Sequence, residues 1–281
     1  MKVNPLRKYL REWGLPHFFC PGCGCGQILS LFLRAADEIK LDMNKLVAIG
    51  GVGCTARIPV YIKAEALHGV HGRTLSWATG IKLHNPDLNV VIFAGDGDIA
   101  AIGGNHLIHA ARRNLDVNII VNNNMNYAMT GGQVAPTTPL CLYTTTTPRG
   151  NMERTFDLCK LAETAGATFV SRWTTNHPRQ IVKTIKDGMD HRGLTFIEIV
   201  SQCPTHFGRY ALGSSRAEDI LKWIKERTVT KKKAEEMSEK ELEGKIVVGD
   251  FVKKNLPTLE DKYVELEKKS SGGEIICLRK Q

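Results

Sequence analysis

Apolar runs and helical patterns alternate along the first 213 residues of the chain. The runs LNVVIFA at 88–94 and VNIIV at 117–121 are almost continuously apolar, as in strands that are covered on both faces of a sheet. The predicted strands are residues 45–49, 88–94, 117–121, 168–170 and 195–200, and the predicted helices are residues 27–40, 74–83, 99–113, 154–165 and 178–189. This alternation predicts an α/β fold with a doubly wound parallel sheet, whose ligands bind beyond the carboxyl ends of the strands.

The last part of the chain differs from this body in its charge. Residues 214–281 contain 16 Lys and Arg and 14 Asp and Glu, whereas the much longer segment 1–213 contains 22 and 15. Such a density of charge predicts surface helices, which we expect to order against a partner. The sequence therefore divides into a cofactor-binding domain, residues 1–213, and a helical, charged C-terminal extension, residues 214–281.

The composition is that of a globular protein, with 42% hydrophobic and 24% charged residues. There is no apolar run of 18 residues, and the first residues, MKVNPLRKYLREWGLP, lack the continuous apolar stretch of a signal peptide. We therefore expect a cytoplasmic protein with no membrane partner. The eight cysteines of such a protein suit metal or redox chemistry better than disulfides.

The formal net charge is +9, of which +7 lies in residues 1–213. A basic body suits anionic partners such as diphosphate cofactors, dicarboxylates or an acidic protein. The lysine run at 231–233 lies in a segment of mixed charge, which is typical of a solvated helix face. Nucleic acid is therefore not expected as a partner.

Two polar motifs follow the two longest predicted strands. Gly95, Asp96, Gly97 and Asp98 come directly after the first strand, and a run of asparagines that includes Asn124 follows the second. Carboxylate, amide and carbonyl oxygens suit Mg²⁺ or Ca²⁺, while the glycines and the following helix N-terminus suit a phosphate group. Each motif alone is typical of a tight turn. Together, at the ends of neighbouring strands, they predict a site for a metal ion and a diphosphate.

Cysteines from three separate regions are expected at the same edge of the sheet. Cys20 and Cys23 lie in a CPGC loop before the first long helix, while Cys54 and Cys203 each follow a predicted strand. Four thiolates suit a [4Fe–4S] cluster or a tetrahedral Zn²⁺ ion. The spacing does not choose between these two, and buried free cysteines are the alternative to both.

The GDG motif followed by NN resembles the thiamine-diphosphate signature. The stretch from HGR at 71–73 to NNMNYAMTGGQ at 123–133 resembles the β subunits of the 2-oxoacid:ferredoxin oxidoreductases, and the resemblance spans residues 15–210. It implies the fold of the thiamine-diphosphate-binding (PP) module. It also implies that Asp96, Asn124 and the carbonyl of Asn126 bind Mg²⁺, with thiamine diphosphate on the glycine-rich loop. We expect His71 and Arg73 to contact the diphosphate or to hold the loop that carries Arg57.

The same resemblance covers the cysteines. These β subunits carry CPGCG, a GxGC loop and a late Cys-Pro, which imply that Cys20, Cys23, Cys54 and Cys203 hold a [4Fe–4S] cluster close to the thiamine, with Cys54 beside the cofactor. Cys25 is an additional neighbouring thiol, which we do not expect to be a ligand. The three cysteines expected to be structural are Cys141, Cys159 and Cys277.

The resemblance implies the CoA-dependent oxidative decarboxylation of a 2-oxoacid, with electrons passed through the cluster to ferredoxin. In this family a glutamate from a second α/β module activates the thiamine, and this chain has the length of one module. The resemblance therefore implies a partner α subunit that supplies the pyrimidine-binding module and the glutamate.

Arg57 lies three residues after Cys54, and its guanidinium suits the distal carboxylate of a substrate. In the family a cation near this position accompanies 2-oxoglutarate, which would be converted to succinyl-CoA. A salt bridge is the alternative role for Arg57, and pyruvate or another 2-oxoacid is the alternative substrate.

Two other functions explain less of the sequence. A non-redox thiamine-dependent decarboxylase would leave the four cysteines unexplained, and a zinc-stabilised nucleic-acid-binding module would leave the GDGD and NNN motifs unexplained.

Overall fold

Six parallel strands form the middle of the molecule in the computed structural model, which describes residues 4–271. The sheet has the strand order β2-β1-β3-β4-β6-β5-β8-β7, and β8 runs antiparallel to β5 but parallel to β7. The strands are β1 Leu46–Gly50, β2 Glu65–His68, β3 Asn89–Gly95, β4 Asn118–Asn123, β5 Phe169–Thr174, β6 Thr195–Val200, β7 Thr228–Thr230 and β8 Ile246–Lys253.

Helices cover both faces of this sheet. The α-helices are α1 Gly24–Glu38, α2 Ile58–Tyr61, α3 Thr74–His84, α4 Gly104–Arg113, α5 Leu158–Thr164, α6 Pro178–Asp190, α7 Arg209–Ala211, α8 Ala217–Arg227, α9 Lys231–Ala234, α10 Glu239–Leu242 and α11 Leu259–Ser271. Short 3₁₀ turns span Pro5–Tyr9, Glu12–Gly14 and Thr55–Arg57, and π-helical turns span Gly97–Ile102 and Pro204–Gly208.

The core lies in two layers, one on each side of the sheet. Ile119 and Val121 of β4 pack with α3, α4 and α5, whereas Ile120 packs with α1 and α6 on the opposite face. On that second face Phe32 of α1 meets Phe93 of β3 edge to face, with ring centroids 5.0 Å apart. Because both faces are buried, β4 needs apolar side chains in both directions, and this confirms the predicted doubly wound α/β fold.

Two predicted helices have different limits in the structure. The predicted helix 99–113 is divided at Gly103, where a π-helical turn gives way to α4. The predicted helix 154–165 begins only at Leu158, because the Asp157 side chain accepts a hydrogen bond from the backbone N–H of Lys160 and caps α5. The edge strand β2 was not predicted, since its sequence, EALH, lacks β-branched residues.

The C-terminal segment is charged and largely helical, as predicted, but it also extends the sheet. Strand β8 pairs with β5, and Val252 of β8 is buried in the core. Ile220 and Ile224 of α8 are fully buried against Cys203 and Phe207. The expectation that this segment orders against a partner is therefore wrong for these parts, which pack within the chain itself. The division between residues 213 and 214 stays a prediction.

Within residues 4–271, no helix combines the length and the apolar character that a membrane span requires.

Candidate functional site

The carboxyl edge of the sheet brings the two predicted oxygen-donor motifs together. Strands β3 and β4 are neighbours, and Gly95 pairs with Asn122, so the loops that carry Asp96 and Asn124 start side by side. A Cβ on Gly95 would meet no protein atom within 4 Å, which leaves open space at the end of β3. A Cβ on Gly97 would lie 2.2 Å from the ring of Tyr127, so glycine is required for the two loops to pack this closely.

Asp96 is a buried carboxylate whose negative charge is stabilised by few neighbouring groups. It is 2% exposed, and its Oδ2 accepts a hydrogen bond from the Thr137 hydroxyl. Burial raises the pKa of Asp96 to about 7, and the nearby charge of Glu198 adds to the increase. No basic side chain within residues 4–271 forms an ion pair with Asp96. A bound cation would favour the ionised form of this group.

The asparagines beside Asp96 also fit a cation. Asn126 donates from its Nδ2 to the Asn124 carbonyl at 2.7 Å, whereas the Oδ1 atom of Asn126 is buried without a hydrogen-bond partner. An unpartnered buried oxygen is costly unless a ligand satisfies it. The residues present therefore fit a hard divalent cation with a diphosphate. The individual ligand assignments stay predictions.

Asp98 connects two loops of the site. Its Oδ1 accepts a hydrogen bond from the backbone N–H of Gly72 at 2.7 Å and lies 2.5 Å from Nδ1 of His71. Its Oδ2 is buried without a partner and faces Gly51. Asp98 therefore holds the 71–73 loop against the GDGD loop, while contact of either residue with the diphosphate stays a prediction.

The four predicted cluster cysteines lie in one electrostatic group. Burial raises the pKa of Cys54 to about 12, and the charges of Cys23, Cys203 and Cys20 contribute to that increase. A hydrogen bond from the Cys25 thiol lowers the pKa of Cys23 to about 7. Neighbouring thiolates repel one another, so a bound cationic metal would favour their ionised forms. The residues thus fit a metal–sulfur cluster.

Backbone contacts also bring the cysteine segments together. The N–H of Gly24 donates to the carbonyl of Gln202 at 3.0 Å, which joins the CPGC loop to the Cys-Pro segment. Within residues 4–271, no three Cys, His, Asp or Glu side chains are placed to hold a single metal ion. The assignment of the four cysteines as ligands of a cluster therefore stays a prediction.

The other cysteines lie apart from this group or face the core. Cys25 is fully buried and contacts Thr55, Cys159 is buried on α5, and Cys141 is exposed in the long loop after β4. Cys277 lies outside the described residues. That Cys25 is not a ligand stays a prediction.

Arg57 is exposed in the 3₁₀ turn that follows Cys54. Among residues 4–271 it has no ion-pair partner, so the alternative role in a salt bridge within this chain has no support. The guanidinium is therefore available to a ligand that enters beside Cys54.

Sequence reasoning missed three residues beside the site. Thr137 binds Asp96, and the buried pair of Arg172 and Glu198 lies on β5 and β6. Arg172 and Glu198 interrupt the otherwise uncharged strands FVSRWT and TFIEIV, and this interruption is a signal that the sequence contained. No signal identified Thr137, because its loop is far from Asp96 in the sequence.

Comparison with known proteins agrees with this geometry. The family model of the C-terminal TPP-binding domain of thiamine pyrophosphate enzymes matches residues 51–199. The 2-oxoglutarate synthase subunit KorB of Methanocaldococcus jannaschii is 49% identical over 95% of this chain and 98% of that protein. The chain belongs to the β-subunit family of the 2-oxoacid:ferredoxin oxidoreductases. The predicted family resemblance is confirmed, and the chain is a subunit of an oxidoreductase.

Other members of the β-subunit family are similar over the same length. KorB of Methanothermobacter marburgensis is 48% identical over 98% of this chain and 97% of that protein. A solved 2-oxoglutarate:ferredoxin oxidoreductase from Magnetococcus marinus, with 2-oxoglutarate, coenzyme A and succinyl-CoA bound, superposes with a TM-score of 0.83. It is 30% identical, with 96% of this chain and 92% of that chain covered. The similarity to these two relatives extends into the C-terminal segment, because it covers nearly the whole chain.

Proposed function

We propose that this chain is the β subunit of a 2-oxoglutarate:ferredoxin oxidoreductase, which converts 2-oxoglutarate and coenzyme A to succinyl-CoA and CO₂ and passes the electrons to ferredoxin. The proposal rests on one observation: the candidate oxygen ligands and the four cysteine thiols lie at the same edge of the sheet. A group of buried oxygen donors at the ends of β3 and β4 lies beside four thiols at the ends of β1 and β6 and at the start of α1, and the Asn126 side chain bonds to the Cys203 thiol. A non-redox thiamine enzyme has no need of the second group.

The residues of this chain would hold three cofactors. Asp96, Asn124 and Asn126 would hold Mg²⁺ at the diphosphate of thiamine diphosphate, and the four thiols would hold a [4Fe–4S] cluster. Bound thiamine diphosphate supplies an electron sink for decarboxylation, and the cluster accepts single electrons. The chain's own part is to place the two groups side by side and to shield the metal site from water.

An apolar rim next to the site supports the proposed α subunit. Val70, Trp77 and Ile102 are 63%, 46% and 47% exposed. Ile102 lies against Gly72 and Trp77 against Gly69, and Val70 directly precedes the 71–73 loop. Large apolar side chains grouped beside a site are typical of a protein interface. A partner bound there would lie where the pyrimidine-binding module has to meet the cofactor.

Ferredoxin, an acidic protein, would be attracted by the basic body of the chain.

We expect the complex of this chain with its partner subunits to reduce ferredoxin when 2-oxoglutarate and coenzyme A are both present. The rate with pyruvate should be lower by about tenfold or more, because pyruvate lacks the distal carboxylate that a guanidinium would bind. The measurement is anaerobic ferredoxin reduction with each 2-oxoacid, with and without coenzyme A. Equal rates with both substrates would contradict the substrate assignment, and activity without ferredoxin reduction would contradict the redox assignment.

Replacing Arg57 tests the substrate assignment at one residue. Arg57→Ala should raise the KM for 2-oxoglutarate by about tenfold to a hundredfold and change the KM for pyruvate little, because one charged hydrogen-bonded pair is lost only with the dicarboxylate. Steady-state kinetics with both substrates measure the effect. Arg209→Ala, an exposed arginine on α7, is the control. Equal changes for both substrates would show that Arg57 does not bind the distal carboxylate.

A further inference from the structure

The consecutive residues Asn122, Asn123 and Asn124 link β4 to the metal loop. Asn124 is a predicted magnesium ligand, whereas the other two have no assigned role. Asn122 is fully buried and Asn123 is 7% exposed. Side chains of successive strand residues point to opposite faces of a sheet, so these two amides reach different parts of the site.

The Asn122 amide joins the segments that carry the cluster cysteines. Its Nδ2 donates to Oγ1 of Thr55 at 3.0 Å and to Sγ of Cys25 at 3.2 Å, and its Oδ1 accepts from the Ser201 hydroxyl at 2.5 Å. Each of these three partners lies one or two residues from a predicted cluster ligand in its own segment. One side chain therefore connects all three segments.

The Asn123 amide instead holds the metal loop. Its Oδ1 accepts from the backbone N–H of Met125 at 3.1 Å, and its Nδ2 donates to Oε1 of Glu198 at 2.7 Å. Met125 has a φ of 61°, the left-handed conformation that a side-chain-to-backbone bond of this kind accompanies. The Asn123 amide thus helps to hold the turn that presents Asn124 and Asn126, together with the Thr138 hydroxyl, which donates to the Met125 carbonyl at 2.7 Å.

A buried ionic network holds the Glu198 carboxylate, which accepts the hydrogen bond from the Asn123 amide. Glu198 accepts at its other oxygen from Nε of Arg172 at 2.7 Å. The remaining guanidinium nitrogens of Arg172 bind Asp157 and the Val247 carbonyl, the latter at 3.4 Å. Val247 lies on β8, so the C-terminal segment closes the network around Arg172. A carboxylate held by a guanidinium in this way cannot move without leaving a buried charge unpaired.

We propose that Asn122 and Asn123 are positioning residues for two different cofactors: Asn122 sets the spacing of the cluster cysteines, and Asn123, held by Glu198 and Arg172, sets the turn that binds magnesium. The proposal rests on the proposed function. Both amides use their donor and their acceptor in buried bonds. The orientation of Asn123 is fixed, because its partners are a backbone N–H, which only donates, and the Glu198 carboxylate, which only accepts. Asn122 is held by three bonds to two hydroxyls and a thiol. Because the two side chains lie on opposite faces, loss of either one should affect one cofactor alone.

The test uses Asn122→Ala and Asn123→Ala in the complex with the partner subunits, prepared without air. Iron and acid-labile sulfide per chain, with the electron paramagnetic resonance spectrum of the reduced cluster, report on the cysteines. The Mg²⁺ concentration for half-maximal thiamine diphosphate binding, measured by calorimetry, reports on the loop. Asn122→Ala should lose at least half of the roughly four irons and leave the magnesium requirement within about twofold. Asn123→Ala should raise that requirement about tenfold and leave iron and spectrum unchanged.

Asn114→Ala is the matched control. Asn114 is a buried asparagine that caps the C-terminus of α4, and its amide accepts from Leu194 N–H and donates to the carbonyls of Leu256 and Pro257. Its loss should lower the Tm without changing either readout. If an alanine variant does not fold, Asn122→Ser and Asn123→Ser remove the amide and leave a short uncharged hydroxyl in its place.

The outcomes separate the two proposals. Loss of both cofactors in proportion in each variant, or no change in either, with a wild type that binds both, would overturn the positioning roles alone. A wild-type complex without iron or without magnesium-dependent thiamine diphosphate binding would overturn the proposed function together with this inference.

Discussion

A complex that carries Cys20→Ala is expected to contain less than half of the wild-type iron and to reduce ferredoxin about a hundredfold more slowly, or worse. Cys20 is exposed, so its replacement creates no cavity in the core and the fold should persist. The remaining three thiols cannot complete the coordination of four irons. Iron and sulfide analysis without exposure to air and the rate of 2-oxoglutarate-dependent ferredoxin reduction measure the two effects.

Cys141→Ala is the control for this variant, because Cys141 is also an exposed thiol but lies outside the group of four. It should keep both the iron content and the rate. Full iron in Cys20→Ala would show that Cys20 is not a ligand. If Cys25→Ala then lost its iron, the fourth ligand would be Cys25 instead.

The variant Asp96→Asn should abolish magnesium-dependent thiamine diphosphate binding and lower the activity on the order of a thousandfold, because the anionic ligand of the cation is lost. The change keeps the size of the side chain and an acceptor for the Thr137 hydroxyl. Since Asp96 is a buried carboxylate without a basic partner within residues 4–271, the metal-free variant should be at least as stable as the wild type. Calorimetry with thiamine diphosphate and a thermal unfolding scan of the metal-free protein measure these effects.

The control for Asp96→Asn is Asp116→Asn at the opposite edge of the sheet. Asp116 pairs with the buried Lys82 ammonium at 2.9 Å, so its neutralisation should cost about 3 kcal/mol of unfolding free energy. It should leave thiamine diphosphate binding unchanged. The two neutral variants therefore have opposite effects on stability and on binding. Binding retained in Asp96→Asn would contradict the magnesium assignment.

Most of the central fold could be predicted from the sequence, because its strands are buried on both faces. In β3 nearly every position is apolar, and in β6 only Thr195 and Glu198 are not, so the strands are visible without knowledge of their neighbours. The helices of the body followed from their spacing, with shifts at Asp157 and Gly103 where a cap and a close contact set the limits. Strands β2 and β8 lie towards the edges of the sheet and are partly exposed, so their patterns resemble those of loops or charged helices.

The sequence by itself determined the fold class, the family and the order of motifs along the chain. It placed Asp96 and Asn124 at the ends of neighbouring strands because parallel strands bring their carboxyl ends to one edge. It could not show which side chain of the asparagine run binds which segment, since that depends on the pairing of β4 with β6 and on the alternation of its side chains.

Only the tertiary structure decided the contacts that join distant segments. Asn122 contacts Cys25, Thr55 and Ser201, which come from three parts of the chain. Strand β8 reaches the buried Arg172 because β8 pairs with β5, although a segment so rich in charge gives no local sign of this pairing. The physical reason is that local propensity and apolar spacing act over a few residues, whereas a buried hydrogen bond is set by which segments the folded sheet places side by side.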